Sequence, residues 1–285
     1  MPRSTVERAI VAETVAAAIR EGAEQLAKTS DTARLDAELL MAEALGVSRS
    51  ELLLRHTGDP VPPSFSDLVR RRAGHEPVAQ ILGHQDFFGR SFIVTPDVLI
   101  PRGDSETLIE VTLGIGGGPG KVLDCGTGSG ALLLTLLAER EELQGTGIDN
   151  SPRALQVAAA NAARLGVAER ANLLHLDWRT PGWSSDLGQF EVVIANPPYV
   201  ESGAELAPSV RDFEPAAALF AGKDGLDDYR ILIPQLRDLL VPGGAAILEI
   251  GAGQAGPVSD LGRAAGFDVT LHRDLAHRPR VLVLQ

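Results

Sequence analysis

Cysteine is almost missing from the chain: Cys125 stands alone among 285 residues, so no disulfide can form within it, and a reducing, cytoplasmic setting is expected. No apolar run is long enough to span a bilayer. The opening MPRSTVERAI lacks the basic segment, apolar core and cleavage site of a signal peptide, so neither membrane insertion nor export is expected. Positive charge is also scarce. With 26 Lys and Arg against 38 Asp and Glu, the net charge of −12 argues against a protein whose main task is gripping nucleic-acid backbone. A local basic cluster, Arg70, Arg71 and Arg72, reads as a solvated helix face or as a partner of the dipole at a helix end. The six histidines show no metal-ligand spacing, and no nucleophilic triad is evident. There are no internal repeats, and GIGGGPG at 114–120 reads as a flexible loop.

What is present divides the chain into parts. From Val6 to about Leu54 the pattern is helical, with apolar residues at three- and four-residue spacing such as Leu35, Leu39, Leu40 and Leu45. Pro60, Pro62 and Pro63 break it, and Ser66–Arg72 suggests a further short helix. Around Phe87 to Val94 the texture is that of a hairpin. Beyond it, apolar runs near 121–124, 146–149, 172–176, 191–195, 245–250, 269–271 and 281–284 alternate with helical stretches. That alternation predicts an α/β fold, a mostly parallel sheet with helices on both faces. The expected domains are a helical one over 1–74, a β-hairpin linker over 75–106 and an α/β domain over 107–285.

Two stretches point to chemistry. In VLDCGTGSGA a strand runs into Gly126, Thr127, Gly128, Ser129 and Gly130 and then a helix, which lets a ligand approach the backbone at a helix N-terminus. Asp149 closes the next strand, about 20 residues on, where a carboxylate can accept hydrogen bonds from ribose hydroxyls. GTGSGA also fits the dinucleotide pattern. Asp124, just before the first glycine, favours a cofactor with an ammonium and a sulfonium, hence S-adenosylmethionine, over a pyrophosphate. Asp177 and Trp178 end another strand and are candidates to hold and cover an adenine ring. In VVIANPPYV an apolar strand stops at Asn196, because Pro197 and Pro198 remove backbone donors; Tyr199 follows. Strand tips are where open α/β sheets keep ligands.

DCGTGSG resembles the first motif of the class I S-adenosylmethionine-dependent methyltransferases, and NPPY the (D/N)PPY motif of those that methylate planar nitrogens. Together with RLDAELL, EPVAQILG, IPRGDSE, VRDFEPAAAL, GLDDYR and DLAHRPRVLV, nearly the whole chain resembles the PrmC or HemK family, protein-(glutamine-N5) methyltransferases of peptide chain release factors. The resemblance implies a Rossmann-like class I fold and an N-terminal helical domain that recognises the substrate. It also implies methyl transfer from S-adenosylmethionine to the glutamine of a Gly-Gly-Gln segment in class 1 release factors, with S-adenosylhomocysteine as product. The Asn196 side-chain oxygen and the Pro197 carbonyl would accept the hydrogens of the substrate amide, Pro198 would stiffen the loop, and Tyr199 would lie against the amide plane. Asp124, Gly126, Thr127, Gly128, Ser129, Gly130, Asp149, Asp177, Trp178 and Asn196 would face the cofactor.

Two other readings fit parts of the pattern. Asn196 would meet the exocyclic amino group of adenine in DNA or RNA with the same geometry, and a non-catalytic release-factor partner would need only the helical domain. One departure from the family is Gly103, where its IPRPxTE segment has proline; Arg102 and Glu106 remain as candidates to close the site or to form an ion pair or cap. The segment 201–209 reads as a substrate-bordering loop that orders on binding.

Overall fold

The structure is a computed structural model that describes residues 13–115 and 120–285. The opening decapeptide, the first residues of the helix expected from Val6, and 116–119 of the glycine-rich stretch lie outside the described residues.

Two compact units emerge. The first comprises the chain up to Gly83 together with Ala207–Phe213. Its helices are Val15–Leu26, Ala33–Leu45, Ser64–Ala73 and Val78–Leu82, around a core of Val15, Ile19, Leu40, Met41, Leu52, Phe65 and Val69. It runs past the expected boundary at 74 because the helix Val78–Leu82 adds Ile81 to that core.

The apolar spacing misplaces one face of the second helix. Leu35 is exposed, whereas Asp36 and Glu38 are buried. Asp36 accepts the Ser30 hydroxyl at 2.7 Å, the Thr32 hydroxyl at 2.8 Å and Arg72 Nε at 2.6 Å. Glu38 takes Arg34 and Arg49. Arg72 is therefore no part of a solvated face, and Arg70 and Arg71 are paired with Asp67 and Glu76. A partner 36 residues away in the chain is invisible to periodicity.

The second unit comprises His84–Leu206 and Glu214–Gln285. It opens with the hairpin β1 (His84–Phe87) and β2 (Arg90–Ile93), paired antiparallel as expected. A seven-stranded sheet follows, from β3 (Lys121–Cys125), β4 (Gln144–Asp149), β5 (Ala171–His175), β6 (Phe190–Ala195), β7 (Leu240–Glu249), β8 (Val269–Arg273) and β9 (Pro279–Leu284). Their order is β5-β4-β3-β6-β7-β9-β8, parallel except that β9 runs antiparallel to both neighbours.

Successive side chains on a strand point to opposite faces, so two cores form. Leu123, Val193 and Ala246 enter one with Tyr229 and Leu232, while Val122, Ile194 and Ile247 enter the other with Leu133 and Leu136. The fold is the class I methyltransferase arrangement expected: a mostly parallel sheet, a helical N-terminal region and a small hairpin.

The segment 201–209 is not one loop. Val200 N–H donates to the Leu219 carbonyl at 2.8 Å and Ser202 N–H to the Gly222 carbonyl at 2.8 Å, so its start is pinned within the second unit. Pro208–Arg211 is a helical turn of the first unit, where Gln80 Nε2 donates to the Phe213 carbonyl at 2.7 Å.

Candidate active site

The chain leaves β3 toward β4 on one side and β6 toward β7 on the other. A crevice therefore opens between the carboxyl ends of β3 and β6, the switch point where such sheets bind ligands. Register decides what lines it. Cys125 pairs with Ile148 and Ala195, and Ala195 with Leu248. One residue further on, Asp149, Gly126, Asn196 and Glu249 stand side by side at the tips of β4, β3, β6 and β7.

A cavity of about 390 Å³ occupies this crevice, walled in part by Gly126, Gly128, Asp149, Asp177, Trp178, Asn196 and Pro198. A second, of about 60 Å³, shares Leu99, Gly126, Gly128 and Asn196 with it and adds Thr127 and Ser129. Four residues expected at the site are not walls of either cavity: Asp124, Gly130, Pro197 and Tyr199. Gly130 starts the helix Ala131–Glu139 at φ +82°, where a side chain would strike Leu134. Tyr199 packs toward the core, its carbonyl accepting from Gln254 Nε2 at 3.0 Å. Its ring is only partly buried there.

Asp124 lies beneath the loop, fully buried. Its Oδ2 accepts the Thr127 hydroxyl at 2.7 Å, and Oδ1 has no partner. Burial pushes this carboxyl up to about 7, against the pull of the Thr127 hydroxyl; the nearby Asp149 raises it further and the Leu133 N–H at the helix start lowers it. The helix N-terminus thus already faces an acid. The loop's amides are also engaged: Gly126 and Thr127 donate to the Ile148 carbonyl, Gly128 to Asp149 and Gly130 to the Thr127 carbonyl. A pyrophosphate would meet few free donors and an acid below them, whereas the sulfonium and ammonium of S-adenosylmethionine suit that field.

Asp149 accepts Gly128 N–H at 2.9 Å and Ser151 N–H at 2.8 Å, one on each oxygen. A carboxylate has about four acceptor positions, so each oxygen keeps one for a ribose hydroxyl. Burial raises its pKa while those two N–H groups lower it. Trp178 is held by its indole N–H, 3.1 Å from Asp228 Oδ1, and the far edge of its ring rests against Gly126. Asp228 is itself buried and gripped by Arg179 at 2.8 and 2.9 Å.

Sequence reasoning missed Asp228, Arg179, Ser105 and Glu249. Two were signalled: Asp228 sits inside GLDDYR, and Glu249 is an acid embedded in the apolar run AAILEI. Asn161 was missed as well. Fully buried, it donates to the Ser129 and Ile93 carbonyls and accepts Ile93 N–H, tying β2 to the glycine loop.

Glu106 accepts Phe88 N–H at 2.8 Å and so holds the hairpin turn, where Phe88 has φ +48°. Arg102 pairs with buried Glu214, which also accepts Ile100 N–H at 3.0 Å. Among the described residues no group of three or more His, Cys, Asp or Glu could hold a metal ion.

Residues 17–83 match the PrmC N-terminal domain and residues 105–225 the methyltransferase small domain. A release factor glutamine methyltransferase of Cereibacter sphaeroides is 42% identical over 274 residues, 93% of this chain and 96% of that one. One from Rhodospirillum rubrum is 40% identical over 257 residues, covering 88% and 78%. A methyltransferase structure from Pyrococcus furiosus shares the fold with a TM-score of 0.53 at 18% identity, covering 77% of this chain and 98% of that one. With its glycine loop, Asp149 and NPPY tip around one crevice, this chain belongs to the release factor glutamine methyltransferases, enzymes that depend on S-adenosylmethionine.

Proposed function

We propose that this enzyme methylates the side-chain nitrogen, N5, of the glutamine in the Gly-Gly-Gln segment of class 1 release factors, converting S-adenosylmethionine to S-adenosylhomocysteine. The observation that supports it most is the strand register, which aligns Asp149, Gly126 and Asn196 around a single cavity. S-adenosylmethionine supplies an electrophilic methyl group on a sulfonium. Asp149 would hold the ribose, Trp178 and Asp177 the adenine, and the Gly126–Gly130 loop the backbone-facing side. Asp124 supports the loop from beneath through the Thr127 hydroxyl.

An amide nitrogen is a weak nucleophile because its lone pair is delocalised into the carbonyl, so orientation must supply much of the rate. Asn196 Oδ1 and the Pro197 carbonyl would each accept one amide hydrogen, turning the nitrogen lone pair toward the sulfonium. They stabilise the positive charge that grows on nitrogen more than they stabilise the bound substrate. Pro198 would keep the tip stiff, and Tyr199 would lie against the amide plane. The first unit, 1–83 with 207–213, would recognise the larger surface of the protein substrate, since one glutamine side chain offers little area. Release factors as substrates place the reaction in the cytoplasm.

The test is incubation with S-adenosylmethionine and an unmethylated class 1 release factor, followed by peptide mass spectrometry. One added methyl on the glutamine of the Gly-Gly-Gln peptide is expected, and Asn196→Ala should lower kcat at least tenfold while cofactor affinity holds. Cofactor binding without methylation of that peptide would refute the substrate.

A further inference from the structure

Asn196 has an acceptor end and a donor end, and its own backbone does not choose which of them faces the substrate. A substrate NH₂ needs the oxygen; the reversed amide would set donor against donor. Something behind the strand tip must impose the choice. Glu249 occupies that place, at the tip of the neighbouring strand β7 and 1% exposed. The register sets Glu249 beside Asn196 on the adjacent strand, near enough that the Asn196 amide and the Ser105 hydroxyl both pull its pKa down, and Asn196 Nδ2 lies 3.5 Å from Ser105 Oγ.

The carboxyl is not there as half of an ion pair. The nearest buried cation, Arg280, spends its charge on Asp104 at 2.8 Å and Asp274 at 3.7 Å. Its Nε and the Glu249 Oε2 are both buried without a partner. An acid buried in this way costs stability, so its placement needs a reason other than folding. Burial raises its pKa to about 7, although Ser105, Arg280 and Asn196 lower it.

We propose that Glu249 is a positioning residue that, with Ser105, engages the Asn196 NH₂ and so turns Asn196 Oδ1 toward the substrate amide. The proposal rests on the reading that Asn196 accepts from that amide. Ionised, Glu249 is an acceptor only, so it can engage the NH₂ end of Asn196 and not the oxygen. It touches neither substrate nor cofactor and acts through Asn196.

The test compares Glu249→Met, Glu249→Gln, Asn196→Ala and the Met/Ala double variant, with S-adenosylmethionine and an unmethylated release factor. Glu249→Met removes the acceptor at similar volume. It should leave the unfolding midpoint unchanged or higher, keep KM for the release factor and cofactor affinity within about twofold, and lower kcat about tenfold to a hundredfold, the worth of one misdirected hydrogen bond. Glu249→Gln keeps one acceptor oxygen and should recover a large part of kcat. The double variant should be no slower than Asn196→Ala alone, because both losses act on one group. Full kcat in Glu249→Met beside a slow Asn196→Ala overturns the proposal and leaves the Asn196 reading intact, as does a multiplicative loss in the double variant. Full turnover in Asn196→Ala overturns the Asn196 reading itself.

Discussion

Replacing Gly126 by alanine should weaken cofactor binding through Trp178, and the structure fixes how. Gly126 has φ +81°, a conformation that costs an L-residue about 1–2 kcal/mol. Its new Cβ would stand 3.2 Å from Trp178 Cη2 and 3.3 Å from Cζ3, so the ring must yield by a few tenths of an ångström. It cannot do so freely, because its indole N–H is held at the other end by Asp228. Mild overpacking of this kind costs about 1 kcal/mol. Gly126→Ala should therefore lose about 2–3 kcal/mol of stability, a fall of about 5–10 °C in the unfolding midpoint. If the displaced ring loses about 1 kcal/mol of contact with the bound cofactor, Kd for S-adenosylmethionine rises roughly fivefold.

Calorimetric titration reads the second number and thermal unfolding the first. In a Trp178→Ala background only the backbone part of the stability loss should remain, leaving a coupling of about 1 kcal/mol between the two positions. An equal stability loss with and without the indole, together with unchanged cofactor affinity, would show that Gly126 does not act through the ring. Gly130 offers the contrast. A Cβ there would stand 2.6 Å from Leu134 Cδ1, so Gly130→Ala should cost the fold rather than the wall of the crevice.

Two further outcomes are expected. Asp124 has a pKa near 3.8 when unfolded and about 7 when folded. Its contribution to stability is therefore full below pH 4 and is lost as pH rises to about 7, and Asp124→Asn should flatten that fall by up to about 1.4 kcal/mol per pH unit in urea unfolding at pH 5, 6 and 7. An unchanged slope would mean that Asp124 is ionised in the folded enzyme. Gly103 opens the helical turn Gly103–Ser105, has no positive φ, and an added Cβ meets nothing within 4 Å. Gly103→Pro should therefore raise stability by about 0.4–1 kcal/mol through the unfolded chain, and a loss of stability would show that the Gly103 N–H or φ is needed.

The sequence by itself determined the parts whose cause is local. Glycines after an apolar run and NPPY at a strand end each restrict their own backbone, so strand, loop and tip were legible. Asp149 was legible because its distance from the glycine loop is set by one strand, one helix and one more strand.

Only the tertiary structure decided the contacts whose partners lie far apart in the chain. Arg72 read as a solvated charge until the fold buried it against Asp36. Helix Pro208–Arg211 read as a loop until it joined the first unit. Glu249 became significant only when the register of β6 on β7 set it beside Asn196. Local pattern records what a residue prefers for its own backbone, whereas pairing register and burial are chosen by the whole chain at once, and the choice of which end of Asn196 faces the substrate belongs to that second kind.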